Sequence, residues 1–386
     1  MKNQKIIKIL FINFITMMVF TMAHPVTPTL MNTVGLPSYM FGVLYSTMAI
    51  AQFIMSPIWG KISDEKGRKK ILIMGVIGYG VGQIGFAISQ NAFTILMFRL
   101  LSGGLSVGFI TAGIAYISDI SSDEDRIKFL SYHTASTSIA SSVGSLIGGY
   151  IGLLGYKYTF YTQLILSIII SILIYFIIDE TVEPSQNKIK VDLGHLRLTK
   201  NSIDFSSKLG IMMLVMTFIT FATTSYSSTI NYFVETVMKL PTNINGAIMA
   251  VSGFVALIMN LIVNPYVGKK FNENKSIMVT TIVSAISIIV AVLLSKINIV
   301  LSLVLIIVFI GSTAMTTPMQ QSIVSKLAKD NYGEVMGIQY SYKALGMVLG
   351  SLVSGFVFDY GNTLPFLLGG ISCVVAFILL LKKDKL

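Results

Sequence analysis

Twelve long apolar segments dominate this chain of 386 residues and leave few folds open to it. Each holds roughly 20 mainly apolar residues, the length that a helix needs to cross the hydrocarbon core of a bilayer. Because backbone groups have no water to bind there, helices that satisfy their own hydrogen bonds are the expected form. The segments cover residues 6–30, 38–58, 71–90, 92–117, 128–154, 157–178, 208–234, 243–264, 276–295, 298–324, 335–357 and 362–381.

The composition excludes the main classes of water-soluble protein. Apolar residues make up 54% of the chain and charged residues 12%, about half the charged share of a typical soluble domain. Cys373 is the single cysteine, which excludes a disulfide scaffold. The chain lacks a phosphate-binding loop pattern, and its three histidines lack the spacing of metal ligands. We therefore expect an all-α polytopic membrane protein that is not an enzyme and needs no cofactor or metal.

Positive charges are concentrated in alternate loops. With a cytoplasmic N-terminus, 23 of the 28 Lys and Arg residues lie on the cytoplasmic side, and three, Lys157, Lys239 and Lys296, lie outside. This bias predicts a multi-pass protein of the plasma or inner membrane with both termini in the cytoplasm. It also accounts for the net charge of +11 without the single basic face that nucleic-acid binding needs. The apolar run continues to about residue 30, so we expect an uncleaved first span rather than a signal peptide.

The two halves of the chain resemble each other. SPIWGK at 56–61 matches NPYVGK at 264–269, and GSLIGG at 144–149 matches GSLVSG at 350–355. The two matches occur in the same order and at nearly the same offset, which indicates a duplicated six-helix bundle. Repeats of this kind place a substrate site between the halves near the membrane midplane. The predicted division is an N-terminal bundle at 1–178, a cytoplasmic linker at 179–207 and a C-terminal bundle at 208–386.

The loop between spans 2 and 3 carries a specific motif. GKISDEKGRKKIL at 60–72 resembles the pattern G-x-L-A-D-R-x-G-R-K-x-x-L of the major facilitator superfamily, with Glu65 in place of the usual arginine. HPVTP at 24–28 is similar to the P-x-x-P of the twelve-helix drug/proton antiporter branch. Arg99 with the glycines after it resembles that family's span 4 motif. The stretch at 144–149 resembles its antiporter signature, with serine where proline is expected.

This resemblance implies a fold and a function. The fold is two pseudo-symmetric six-helix bundles, and the function is secondary active export of small amphipathic solutes or drugs by alternating access, coupled to proton antiport. Two alternatives stay open: an exporter or flippase of an anionic metabolite or lipid, and a membrane sensor that binds without moving a solute. The expected partners are a small-molecule substrate, protons and membrane lipid, and nothing in the sequence requires more than a monomer.

The residues of this loop suggest a conformational role. Gly60 and Gly67 permit tight turns, and Asp64 lies where a carboxylate could accept the free N–H groups of a helix start. Arg68 is expected to pair with Asp119 at the inner end of span 4. The resemblance implies that this network latches the cytoplasmic side shut, whereas the alternative is that the loop's basic residues only set topology.

Two basic residues lie inside apolar segments. A central Arg or Lys costs about 2.5–3.5 kcal/mol on insertion scales, so neither is expected to face lipid. The resemblance links Arg99 to proton transfer, and the alternative is a structural hydrogen-bond anchor. Lys343 could line the cavity and attract an anionic or zwitterionic group, or it could snorkel or pair with a polar side chain.

Acidic residues are informative because all seventeen lie in loops or at span ends. Glu235, at the outer end of span 7, is the nearest candidate for a buried proton site. His24 and His133 lie within spans 1 and 5 and could titrate near physiological pH. For both histidines we favour a structural role.

Large side chains and small ones mark two further sets of candidates. The substrate cavity is expected to include Met22, Tyr226, Tyr232 and Tyr340, because soft and aromatic side chains re-pack around varied ligands. Small residues let helices approach closely in lipid, and such seams either pack helices or let them slide. The seam glycines are Gly104, Gly108, Gly144, Gly148, Gly149, Gly346 and Gly350.

The charge bias predicts which loops face the cell exterior. In a Cys373→Ser background, we expect Lys239→Cys to react with a membrane-impermeant maleimide on intact cells. Lys66→Cys is the matched control and should react only after permeabilisation. The opposite labelling pattern would invert the predicted topology.

Overall fold

The computed structural model describes residues 2–121, 123–182, 205, 207–327 and 332–385, and these are almost entirely helical. The first half contains α1 (Lys2–Thr21), a 3₁₀ turn (His24–Val26), α2 (Thr27–Val34), α3 (Met40–Lys66), α4 (Arg68–Ile88), α5 (Ala92–Ile120), α6 (Asp123–Gly152) and α7 (Tyr156–Ile177). The second half contains α8 (Lys208–Thr236), α9 (Thr242–Ile258), a π turn (Met259–Val263), α10 (Asn264–Lys270), α11 (Glu273–Leu294), α12 (Ile299–Leu327), α13 (Tyr332–Phe358) and α14 (Leu364–Lys385).

The helices confirm the predicted class of all-α membrane protein. Within the described part of the chain, nine helical segments are long and apolar enough to cross a membrane, and the bent pair Met40–Ser56 and Ile58–Lys66 would make ten. Predicted spans 5 and 11 lie in α6 and α13, which also contain residues whose side chains are not described. The count of twelve spans therefore stays a prediction.

Contacts divide the chain into two compact units, while the predicted division at 1–178, 179–207 and 208–386 stays a prediction. Most of the predicted linker at 179–207 lies outside the described residues. Each predicted half gives one short segment to the other unit. Unit 1 comprises Met1–Leu36, Thr47–Asp192 and Leu240–Gly253, and unit 2 comprises Pro37–Ser46, Leu193–Lys239 and Phe254–Leu386.

The same pairs of helices pack together in both units. In unit 1, α4 packs against α5 and α7, while α1 packs against α6. In unit 2, α11 packs against α12 and α14, while α8 packs against α13. Counted within each half, these are the third span with the fourth and sixth, and the first with the fifth. The repeat seen in the sequence is therefore a repeat of packing.

The exchanged segments are held by the repeated glycine–serine stretches. In unit 1, a Cβ built on Gly246 of α9 would lie 2.5 Å from the carbonyl oxygen of Ser145 in α6. In unit 2, a Cβ built on Gly42 of α3 would lie 2.7 Å from the Cα of Gly355 in α13. Real side chains do not tolerate such distances, so glycine allows both backbones to touch. The two copies of the stretch thus make equivalent contacts.

The predicted seam glycines all lie at helix contacts. Gly104 and Gly108 of α5 face α3, where the Trp59 indole N–H donates to the Gly104 carbonyl at 2.6 Å. The other contacts follow the same rule: Gly144 and Gly148 face α1, Gly149 faces α9, and Gly346 and Gly350 face α8. Packing explains these glycines, while sliding along the seams stays a prediction.

Two seam glycines should differ in their response to the same substitution. A Cβ on Gly148 would collide with the backbone carbonyl of Met22, whereas a Cβ on Gly104 would meet the flexible Met55 Cγ at 3.3 Å and the Ala51 Cβ at 4.0 Å. Gly148→Ala should cost about 1–3 kcal/mol of overpacking strain and lower the thermal unfolding midpoint in detergent. Gly104→Ala should leave that midpoint nearly unchanged. Equal midpoints for the two variants would contradict the close α1–α6 contact.

Candidate functional site

A carboxylate from the end of the first half caps the start of α4. The N-cap residue is Gly67, with φ of 99° and no side chain to accept hydrogen bonds. Glu180 takes that place: its Oε1 accepts from the Arg68 amide at 2.8 Å and its Oε2 from the Lys69 amide at 3.1 Å. A Cβ on Gly67 would collide with this carboxylate. Glycine is thus needed both for the backbone angle and for the approach of Glu180.

The Arg68 side chain joins three segments of unit 1. Its Nε donates to Asp119 Oδ2 at 3.0 Å, which is the predicted pair, and its Nη1 donates to Ser63 Oγ at 2.7 Å. Thr181 Oγ1 donates to the same Asp119 oxygen at 2.9 Å. Arg68 is buried with 7% exposure, so its guanidinium has lost most of its hydration. The hydrogen bonds and ion pairs with these partners replace that hydration. We call Asp64, Arg68, Asp119, Glu180 and Thr181 the loop cluster.

Two expectations for this loop need correction. The carboxylate that accepts the helix-start amides is Glu180, whereas Asp64 pairs with the Arg68 guanidinium. The reason is that α3 continues to Lys66, which puts Asp64 one turn before Arg68. Gly60 lies inside α3 with open space around it, so the turn occurs at Gly67 alone.

A second polar group forms where the first span breaks. α1 ends at Thr21, and Pro25 supplies no N–H to continue the helix. The freed carbonyls bind side chains instead: Phe20 accepts from Tyr79 Oη at 2.5 Å and Val19 accepts from Gln163 Nε2 at 2.6 Å. In lipid this internal satisfaction is what makes a broken helix possible.

The predicted Arg99 lies beside this break. It is 6% exposed, and its guanidinium carbon lies 4.7 Å from the centre of the Phe86 ring, a cation–π contact. Its charge acts on both His24 and Tyr79. Gln83 extends the group by donating to Tyr79 Oη. We call His24, Tyr79, Gln83, Arg99 and Gln163 the break cluster.

The remaining titratable candidates are scattered. His133 is buried in α6, where its backbone carbonyl accepts from Asn13 of α1 at 3.4 Å. Glu235 is half-buried in the last turn of α8, and Lys343 is half-buried in α13. Among the described residues, Arg99 and His24 lie together in the break cluster.

The predicted cavity residues are found in packed surroundings. Met22 is fully buried, and its backbone lies against Gly148. The Tyr226 ring packs 5.2 Å from that of Phe309. Tyr232 packs between Phe41 and Phe358, at 5.3 and 5.4 Å. These contacts explain the tyrosines as aromatic packing within unit 2 and give no support to direct solute contact. The side chain of Tyr340 lies outside the described residues.

Several residues of the two clusters were not predicted from the sequence. Tyr79 and Gln83 are four residues apart in an apolar segment, a spacing that places two polar groups on one helix face. That signal was present and could have marked the break cluster. Glu180 and Thr181 carry no comparable signal, because they follow the last apolar segment of the first half like ordinary loop residues.

A duplicated set of membrane-spanning helices with polar groups buried at a helix break is typical of secondary transporters. The family model of the Major Facilitator Superfamily matches residues 9–351 and 269–385, and the chain belongs to this family. It is therefore a multi-pass membrane transporter of small-molecule solutes and not an enzyme.

Named relatives span nearly the whole chain. It is 25% identical over 395 residues to Multidrug resistance protein 2 of Bacillus subtilis, covering 99% of this chain and 96% of that protein. It is 28% identical over 385 residues to the quinolone resistance protein NorA of Staphylococcus aureus, covering 99% and 97%. Among solved structures, a bacterial homologue of the human lysosomal transporter Spinster has a TM-score of 0.79 at 12% identity, covering 98% and 96% of the two chains. A D-xylose–proton symporter has a TM-score of 0.75 at 15% identity, covering 97% of each. These structures share the fold.

The capping of α4 by Glu180 predicts an effect that is confined to the start of this helix. Glu180→Ala should free the Arg68 and Lys69 amides at a cost of about 1 kcal/mol, which is about fivefold faster hydrogen exchange at the start of α4. Asp179→Asn is the matched control, since Asp179 pairs with Lys5 at 3.6 Å instead. Unchanged exchange in Glu180→Ala would show that the cap contributes nothing.

Proposed function

We propose that the chain exports small amphipathic solutes, including drugs, across the cell membrane in exchange for protons. The main support is its similarity, over nearly the full length of both proteins, to a multidrug resistance protein and a quinolone resistance protein. Both relatives are bacterial, which supports a place in the plasma membrane. Alternating access of the two halves is the mechanism that goes with this family.

The break cluster is the proposed site of proton coupling. Arg99 holds a permanent positive charge inside unit 1, and His24 is the titratable group on which that charge acts. A second positive charge on His24 would repel Arg99, and such repulsion is strong in a low-dielectric interior. Gain and loss of a proton would thus change the energy of the first-span break, which Tyr79 and Gln163 hold.

The loop cluster is the proposed conformational element. Arg68 bonds α3, the start of α4 and the end of α5, while Glu180 and Thr181 attach the residues that follow α7. Buried charges with several partners hold one geometry and are costly to separate singly. In this proposal the cluster faces the cytoplasm, together with both chain termini, and its making and breaking accompany the change of access.

Transport by the purified protein tests the proposal. Proteoliposomes with an acidic lumen and a membrane potential clamped by potassium and valinomycin should accumulate ethidium or tetraphenylphosphonium. Both are permanent cations, so the pH difference does not trap them passively. Accumulation should disappear when nigericin collapses the pH gradient.

The outcomes separate the alternatives. Flux that ignores the pH gradient would remove proton antiport and leave a transporter without that coupling. Binding without counterflow of labelled solute would favour a sensor. Protein-free vesicles and vesicles with heat-denatured protein are the controls for leakage and adsorption.

A further inference from the structure

The span built from α9, the π turn and α10 carries an unusual pair of polar residues. This span, Thr242–Val267, is strongly apolar, and 6% of its most apolar stretch is buried. Asn260 is exposed and Asn264 is half-buried in it. One exposed and one half-buried carboxamide in a strongly apolar span require an explanation, since polar side chains in spans face the protein interior or water rather than lipid.

The two carboxamides form a ladder with a defined direction. Asn260 Nδ2 donates to the Ala256 carbonyl at 2.9 Å, and Asn264 Nδ2 donates to Asn260 Oδ1 at 3.3 Å. Because the first amide must donate to a carbonyl, the second is oriented with its oxygen at the end of the ladder. Asn264 Oδ1 has no hydrogen-bond partner among the described residues. The ladder thus ends in a buried carboxamide oxygen that lacks a hydrogen-bond partner within the described part of the chain, and such an orphaned acceptor calls for an explanation.

The backbone at this point is distorted in a way that is common at functional sites. Met259–Val263 forms a π turn, and Pro265 follows directly. π turns occur mostly as single turns within α-helices and are frequent at functional sites. Here the turn widens the helix at the level of the two carboxamides.

The helix face that carries Asn260 packs against α6 nearer the start of the span. Gly253 lies two turns before Asn260 on the same side, and a Cβ built there would collide with the Ser142 hydroxyl of α6. A different set of side chains is suited to lipid: Leu261 and Ile262 are 54% and 64% exposed. The span therefore has an apolar surface available for lipid, and the carboxamide face is not needed for that purpose.

We infer that Asn260 and Asn264 line the path of the transported solute, and that Asn264 Oδ1 accepts a hydrogen bond from an N–H or O–H group of that solute. This inference rests on the proposed export function. It assigns the solute class as amphipathic molecules that carry an amino or hydroxyl donor. A carboxylate or ether oxygen offers no donor and gains nothing from this acceptor.

Cysteine accessibility tests the path directly. Cys373 is buried at 1% exposure and is the single native cysteine, so Cys373→Ser provides a silent background. Asn264→Cys should react with a charged methanethiosulfonate reagent, which needs water, and ethidium should slow the reaction. Ile262→Cys is the matched control in the same turn and should react slowly, because lipid surrounds it. Slow labelling at both positions would place Asn264 in lipid and overturn the inference.

Binding selectivity tests the acceptor. Ethidium carries two amino groups, whereas tetraphenylphosphonium has the same charge without an N–H or O–H group. Loss of one hydrogen bond in Asn264→Leu should weaken ethidium binding about fivefold and leave tetraphenylphosphonium within about twofold. Asn264→Asp adds a charge and should tighten both. Ile262→Leu should change neither.

The pattern of results distinguishes this inference from the proposed function. Equal weakening of both probes in Asn264→Leu would mean that the ladder only stabilises the π turn, and no weakening would mean that the acceptor is unused. Either result overturns the inference, as does a wild-type protein that does not bind ethidium. If the wild type binds both probes with the expected selectivity but transports neither, the proposed export fails while the acceptor stands.

Discussion

Backbone carbonyls have no water to bind inside a hydrocarbon layer, and this constraint sets the form of every span. A continuous helix satisfies its backbone carbonyls with its own N–H groups, but a broken helix needs hydrogen bonds from other side chains. At the end of α1, Tyr79 and Gln163 bind two freed carbonyls, so the break is maintained by side chains from α4 and α7. At the π turn of the second half, the side chain of Asn260 binds the Ala256 carbonyl in the same way. Each irregular backbone segment is therefore tied to polar side chains, and polar side chains are what a transporter can use.

Between helices the constraint is different, because lipid gives them little hydrophobic reason to associate. Glycine contacts allow close packing in both halves, and the repeated glycine–serine stretches make equivalent contacts. The ends of the helices depart from this symmetry. α4 starts on Gly67, which cannot cap it, so Glu180 does so from the end of the half. α11 starts after Asn272, whose own side chain accepts from Asn274, and there the last helix contributes Lys383 to Asn274 at 2.8 Å. The start of the third span is thus bound by a negative carboxylate, Glu180, from just after the sixth span in the first half, and by a positive amine, Lys383, from within the sixth span in the second half.

Local patterns predicted the parts of this molecule that local physics determines. Segment hydropathy predicted the spans, and the spacing of motifs predicted the repeat and the Arg68–Asp119 pair. Glu180 could not be found this way, because it meets Arg68 across 112 residues and only the packing of α7 on α4 brings them together. Tyr226 and Tyr232 were expected at the cavity because aromatic residues in a span suit both packing and binding. Periodicity cannot separate those roles, and the ring contacts with Phe309, Phe41 and Phe358 show packing.

The choice of polar groups bears on how broadly such a protein can select its solutes. The acceptor at the end of the ladder in unit 2, unpartnered among the described residues, is a buried carboxamide oxygen, and the permanent charge of the break cluster in unit 1 is positive. A buried carboxylate would select strongly for cations, since an unpaired charge in a low-dielectric site is costly. An unpartnered carboxamide oxygen costs less free energy than an unpaired carboxylate, and it accepts hydrogen bonds from neutral and cationic donors alike. Selection by hydrogen-bond donor rather than by charge is compatible with a wide range of amphipathic solutes, because the apolar remainder of each solute needs only a surface that can re-pack.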